Sequence, residues 1–361
     1  MKYEASKEER SQRYNRRFKI LLFILPVILF LTIILAMALG PVTINPFTVW
    51  EIALSHVPFI SNLIPVDWTN AHENIIWEIR FPRVLLGAIV GSGLSLAGTG
   101  IQALVKNSLA EPYILGVSSG ASVGATLVIL LGAFQMFGQY ALSFSAFIGA
   151  LLSVMLVFSL AKVGGRISTT RLLLSGIALS LILSATTDFI VISAPDDDKV
   201  HSALFWMMGS LVGADWQTLP IAGVIVVATF IFLLLQSRSL NLLLMGEETA
   251  ATLGLNIQVF QKVLIIVISL LTGVLVSVSG AIGFVGLMIS HIVRLFVGSD
   301  HKKVLWMSLF LGAIFMIWAD VVARMIMAPE EIPIGVVTAL SGGPFFIWLL
   351  RKSSYSFGGE M

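Results

Sequence analysis

The chain has no cysteine among its 361 residues. That excludes a disulfide framework, a thiolate metal site and a cysteine nucleophile, and it leaves the redox compartment unreadable. Charge is nearly as scarce. Only 12% of residues are charged and 57% are hydrophobic, with a mean hydropathy of +0.96; a soluble domain carries about 25% charged residues. Such a chain places its apolar surface in lipid. The zinc signature H-E-x-x-H and the phosphate loop G-x-x-x-x-G-K-[ST] are both missing, so this chain is expected to bind no ATP, metal or other cofactor by itself. The formal G-x-S-x-G match at Gly116–Gly120 opens an apolar run with no strand before it, which is not the strand-turn-helix setting of a nucleophile elbow. No catalytic residue is expected. The net charge of +2 gives no reason to expect a nucleic-acid partner.

What the sequence does have is long apolar runs. A membrane span needs roughly 20 predominantly apolar residues, and ten candidates meet or approach that length: 20–40, 82–104, 113–132, 141–162, 171–193, 218–236, 259–280, 282–298, 304–327 and 333–350. The expected class is therefore an all-α integral membrane protein with about ten spans. It would form one transmembrane domain over 20–352, between a basic tail at 1–19 and a short tail at 353–361. No A-x-A-like cleavage site follows the basic tail, so the first run reads as an uncleaved span. Segment 41–81 is external, and its NPFTVWEIAL stretch suits the membrane interface. Ten spans put both termini on one side. With that side cytoplasmic, 18 of the 22 Lys and Arg residues fall inside, and only Arg80, Arg83, Lys199 and Arg324 fall outside. The positive-inside rule asks for this asymmetry. No soluble domain remains to drive the protein, so the drive must come from a partner or an ion gradient.

Small residues mark close helix contacts: Gly87 and Gly91 at GxxxG spacing, then Gly116, Gly120 and Gly124 along one face. Asp320 and Arg324 sit at i and i+4, acid first. They read equally as a self-neutralised pair or as an arginine reaching outward to a partner. Asp188 lies toward an outer end, where a hydrogen-bonded structural carboxylate is the commoner use. His291 and Arg294 fall at the cytoplasmic edge, in reach of a helix terminus. Ser168, Thr169 and Thr170 lie between Arg166 and Arg171. Their hydroxyls could line a constriction at the membrane mouth or simply cap the next helix. In segment 237–258 an acidic knob, Glu247-Glu248 with Ala250 and Ala251, is fenced by Gly246 and Gly254. The glycines can end a two-turn helix at both sides, and the carboxylates suit the positive end of its dipole. On spacing alone, a plain turn is the commoner reading.

Seven stretches together carry a family resemblance: WEIRFPR, QALVKNSLAEPYILGVSSGA, STTRLLLSGIAL, FWMMGSLVGADW, MGEETAATLGL, GAIGFVGLMISHIVRLFVGSDH and IPIGVVTALSGGPFFIWLL. From about Trp77 to Lys352 the chain resembles the FecCD-type permease subunits of binding-protein-dependent ABC importers for iron-siderophores, haem and cobalamin. The resemblance implies a cobalamin-permease-like bundle in the bacterial cytoplasmic membrane. It implies a second permease subunit, identical or sister, an extracytoplasmic binding protein, and two ATPase subunits that use ATP and Mg. It makes Gly246, Glu247, Glu248, Ala250, Ala251 and Gly254 the ATPase-coupling helix and Ser168, Thr169 and Thr170 the cytoplasmic gate. Lys199–Gly209 would border the path at the dimer interface, and Arg80 and Arg324 would dock the binding protein. Iron-siderophore is favoured as the family's commonest cargo, with haem and cobalamin as alternatives. Two departures stand out: Asn107-Ser108-Leu109-Ala110 where the family usually has Asn-Pro-Leu-Ala, and Ser290-His291 where it usually has Pro-His. Each restores a backbone N–H and frees φ. A secondary transporter driven by an ion gradient would instead want an ionisable group deep in a span or paired interrupted helices at the midplane.

Overall fold

The computed structural model describes residues 2–56, 64–163 and 166–351, the side chains of 2–11, 163, 166, 167, 169 and 350 excepted. The C-terminal tail at 353–361 lies outside the described residues.

The described residues form fifteen α-helices: α1 (Lys2–Ala38), α2 (Pro46–Ser55), α3 (Asn70–Asn74), α4 (Phe81–Val105), α5 (Val117–Leu131), α6 (Ala141–Ala161), α7 (Thr169–Ile192), α8 (Asp197–Met207), α9 (Leu219–Leu235), α10 (Ser237–Leu244), α11 (Glu247–Thr252), α12 (Ile257–Ser279), α13 (Val285–Val297), α14 (His301–Met325) and α15 (Ile334–Arg351). One π-helical turn, Ile75–Arg80, joins α3 to α4, and a two-residue hairpin pairs Lys162–Val163 with Arg166–Ile167. Polar residues start six of the described helices. Asn45, Thr69, Ser168, Asp196, Asn256 and Asp300 each accept a backbone N–H of the first turn through the side chain, satisfying donors that a helix N-terminus otherwise leaves open.

Six stretches are long and apolar enough to cross a membrane: Gln12–Ala38, Asn70–Val105, Gln135–Ala161, Thr170–Ile192, Ile257–Ser279 and His301–Met325. α9 and α10, bent by 60°, make a seventh if they form one span. Three shorter apolar helices, Val117–Leu131, Val285–Val297 and Ile334–Leu349, account for the other runs. Two of them are shorter than the sequence suggests. Where the sequence reads a span from 113, a 3-10 turn at Pro112–Leu115 delays α5 to Val117. Where it reads one from 282, residues 280–284 are non-helical and α13 starts at Val285. At 1.5 Å per residue these two helices are about 20–23 Å long, less than the ~30 Å of a hydrocarbon core.

α4 is the central helix, buried along most of its length and packed on α14, α13, α12 and α9. The contacts depend on absent side chains. A Cβ on Gly91 would collide with the backbone of Gly312, one on Gly98 with Gly286, one on Gly120 with Gly149, and one on Gly124 with Ser145. Gly116 lies against α6, where its carbonyl accepts the Ser153 hydroxyl at 2.8 Å. Gly87 differs. Its nearest neighbour across the gap, Leu211, stands at an ordinary 3.4 Å. α1 and α7 lie at the periphery and expose large apolar side chains such as Phe23 and Ile192.

Candidate functional site

The first site is at the end of the α9–α10 arm. Gly246, at φ +101°, turns the chain into α11, and Gly254, at φ +89°, turns it out again. Both glycines have open space around them, so the left-handed backbone, not crowding, requires them. Glu247 and Glu248 occupy the first turn of α11. Ala250 is fully buried against the body, while Ala251 is exposed. The knob is thus seated by one alanine and presented by the other. Glu247 is also tethered: its Oε1 lies 3.1 Å from Lys106 Nζ, with Gln261 Nε2 at 3.5 Å. Lys106 ends α4 in a left-handed conformation, φ +55°. Glu248 faces solvent, flanked by two exposed apolar residues that sequence reasoning passed over, Met245 (49% exposed) and Leu253 (59%).

The hydroxyl cluster lies next to the tiny hairpin. Ser168 caps α7, accepting Arg171 N at 3.5 Å, and Thr170 is exposed. The Thr169 side chain lies outside the described ones.

A third feature escaped the sequence reading. Tyr113 Oη donates to the Ile282 carbonyl and accepts the Ile282 N–H, both at 3.0 Å. Glu111 Oε1 accepts the Phe284 N–H at 2.5 Å. These two residues follow α4 and hold the 280–284 break, capping α13 where Phe284 adopts φ +67°. Burial pushes the Glu111 carboxyl above its usual range, partly offset by the Phe284 hydrogen bond. The other side of the break is also pinned. Ser210 N donates to Ser279 O at 2.8 Å, and Ile334 N donates to Gly209 O at 3.0 Å. The end of α8 and the start of α15 therefore meet at this break. A glutamate and a tyrosine flanking Pro112 in an otherwise apolar stretch were the available signal.

At the opposite end of α4 four charges form one chain. Arg83 Nε donates to Asp320 Oδ1 at 2.9 Å and Arg83 pairs with Glu331 through two bonds of 2.9 and 2.8 Å. Asp320 in turn meets Arg324 Nε at 3.0 Å. The self-neutralised reading of Asp320 and Arg324 is the arrangement seen, enlarged by Arg83 and Glu331. Arg80 and Arg324 share a second task. Arg80 donates to the carbonyls of Met37, Ala38 and Val42 at 2.8, 3.4 and 2.5 Å. Arg324 donates to those of Ala36 and Leu39 at 3.2 and 3.4 Å. Together they satisfy the carbonyls that the C-terminus of α1 leaves open, where cations also suit the dipole. Both arginines are buried (5% and 3% exposed). In this conformation neither guanidinium is offered to the surface.

Ser290 donates to the Gly286 carbonyl within α13, and Ser108 is buried in the turn after α4. Among the described residues no cluster of three or more His, Cys, Asp or Glu could hold a metal.

These features define a multi-pass helical membrane protein with a short helix projecting on two glycine turns and a buried charge network at the opposite end of α4. Comparison with known proteins supplies the family. The FecCD transport family model matches residues 28–352, and the chain belongs to that family. The vitamin B12 import system permease proteins BtuC of Salmonella typhi and Salmonella paratyphi A are each 41% identical over 318 residues, covering 84% of this chain and 95% of theirs. A solved ABC transporter, assigned to the metal-chelate type and captured facing inward, superposes with TM-score 0.77 at 31% identity, covering 92% of this chain and 99% of its own. PsaBC of Streptococcus pneumoniae, solved with a Fab, shares the fold at TM-score 0.50 and 16% identity over 74% of this chain and 90% of its own.

Proposed function

We propose that this chain is the membrane-spanning permease subunit of an ABC importer for a large metal chelate, a single transmembrane domain of ten spans over 20–352 with both termini cytoplasmic. The observation that carries the reading is α11. It is a six-residue helix held off the bundle by two left-handed glycines, with Glu248, Met245 and Leu253 outward and Ala250 anchoring it. A rigid knob of this form suits a groove on a partner ATPase, which would supply ATP hydrolysis with its Mg; this chain is the transported solute's conduit and not an enzyme. Seven long spans, counting the bent pair, and three short helices match the ten runs, and the basic asymmetry favours the cytoplasmic termini. A second permease copy, identical or sister, would complete the path along the exposed face of α7, where Asp188 and Thr186 would stand among apolar residues. Ser168, Thr169 and Thr170 at the inner end of α7 would form its gate.

For cargo, a corrinoid is supported by the 41% identity to vitamin B12 permeases at least as well as an iron-siderophore is by family frequency. An extracytoplasmic binding protein would supply the selectivity. Arg80 and Arg324 would take part in docking it only after leaving the α1 carbonyls. The test is uptake in proteoliposomes holding this chain, its ATPase and its binding protein, with cyanocobalamin and a ferric siderophore offered separately. ATP-dependent accumulation of either supports the importer and names the cargo; accumulation of neither, with an active ATPase present, counts against it.

A further inference from the structure

We infer that the inner end of α1 is a binding site for anionic phospholipid headgroups. α1 is one unbroken helix of 37 residues, about 55 Å long at 1.5 Å per residue against a hydrocarbon core of ~30 Å, so it continues well beyond the bilayer. The rotation of its inner part is fixed. Tyr14 packs on Gly298, Asn15 accepts Lys303 Nζ at 2.5 Å, and Phe18 packs against the main apolar core. With that side tied down, the other side carries Arg13, Arg16, Arg17 and Lys19, all exposed. No Asp or Glu lies between Ser11 and Lys19.

What identifies the partner is the continuation of the same stripe. Steps of three or four residues from Arg13, Arg16 and Arg17 lead to Ile20, Phe23, Ile24 and Val27, and all four are exposed, Phe23 by 77%. Residues at those steps share one helix face. The face that meets acyl chains therefore runs directly into four cations. From Lys19 to Arg13 the rise is about 9 Å, comparable with the ~5–8 Å headgroup layer on each side of the hydrocarbon. Arg side chains on flexible stems reach phosphate from such positions, and the guanidinium fork matches phosphate oxygens in pairs. Several basic residues immediately beside a span give selective attraction to anionic lipid. An acidic protein surface would be an alternative occupant, but it would have to sit flush against the lipid-facing stripe.

The inference rests on the membrane-spanning reading of α1. The quadruple variant R13Q/R16Q/R17Q/K19Q and the wild type are extracted from membranes in mild detergent, and retained phosphatidylglycerol and phosphatidylethanolamine are counted by native mass spectrometry. Wild type is expected to retain phosphatidylglycerol preferentially and to lose the preference in 0.5 M salt. In the quadruple variant that retention is expected to fall by about an order of magnitude or more, with phosphatidylethanolamine unchanged. R13K/R16K/R17K is expected to keep most of it, and E51Q, an exposed change on α2, to leave it untouched. Equal phosphatidylglycerol retention by the quadruple variant overturns the inference, and so does a variant that keeps its lipid but loses a co-purifying protein. If the membrane reading itself failed, neither lipid would be retained by the wild type, which is a different result.

Discussion

Lys106 Nζ, at the end of α4, lies 3.1 Å from Glu247 Oε1, on the first turn of α11. The pair ties α11 to the end of the central helix of the bundle. Glu111 and Tyr113, a few residues beyond Lys106, hold the break before α13. Lys106, Glu111 and Tyr113 thus place contacts to α11 and to the break before α13 within eight residues of one turn.

The pair is exposed, so its stability contribution is small, about 0.2–1 kcal/mol for such bridges. Its expected role is in coupling. E247K and K106E each should lower ATP-driven uptake with little change in melting temperature, and K106E/E247K should regain part of it. A double-mutant cycle on uptake rates is the check; strictly additive losses would remove the pair from the coupling route.

The outer network behaves differently because it is buried. Asp320 faces both Arg83 and Arg324, and all three are nearly inaccessible to solvent. Removing one member of a buried pair typically costs about 3–5 kcal/mol by leaving charge uncompensated. Thermal unfolding in detergent should place D320N far below the wild type, whereas D198N, on exposed α8, should barely shift. Wild-type-like melting of D320N would show the network to be dispensable.

Two glycines of one helix should part company. G91A drives a methyl into the Gly312 backbone, while G87A meets Leu211 at 3.4 Å and Ile317 at 3.8 Å, both ordinary contacts. Overpacking of this kind costs about 1–3 kcal/mol. The expected order of stability is G87A close to wild type and G91A well below it, read by melting of the purified chain.

Glu111 gives a pH dependence whose sign is fixed by its burial. Its carboxyl is raised above the usual range in the fold, so the protonated form is the one the fold favours. That contribution is complete below the unfolded carboxyl value of about 4.3. It is lost as pH rises through the higher folded value. E111Q keeps an acceptor for the Phe284 N–H and removes the ionisation. The stability difference, E111Q minus wild type, should grow as pH is raised from about 4 and then level off. Melting temperatures between pH 4.5 and 8 check this; a flat difference would remove Glu111 as the titrating group.

The helices were legible because composition and periodicity are local properties. All ten apolar runs carry helix, and the cap residues Ser168 and Asp300 stand where two of them begin. Gly246 and Gly254 marked the two turns around α11, since a left-handed backbone has few other residues to use, but spacing alone favoured a plain turn there and only the family resemblance pointed to a helix. What the sequence hid were contacts between distant residues. Arg83 finds Glu331 across 248 positions and Tyr113 finds Ile282 across 169. Arg80 looked like a surface cation because nothing near it in sequence explains a buried one. Its partners are carbonyls of α1 some forty residues earlier, which no side-chain pattern records. The late start of α13 was hidden for a related reason: Ile282, Gly283 and Phe284 read as the start of the eighth run until their partners Tyr113 and Glu111 are known.

The proposed coupling requires α11 to be the point where an ATPase takes hold. The direct measurement is cysteine cross-linking in the assembled complex. This chain has no native cysteine, so a single Glu248→Cys is uniquely reactive. Short-reach cross-linking of that residue to the partner ATPase, with a yield that changes between nucleotide-free and ATP-bound states, is the predicted result. Labelling of Glu248→Cys by a membrane-impermeant reagent from outside intact cells, with no cross-link to the ATPase in either state, would contradict it.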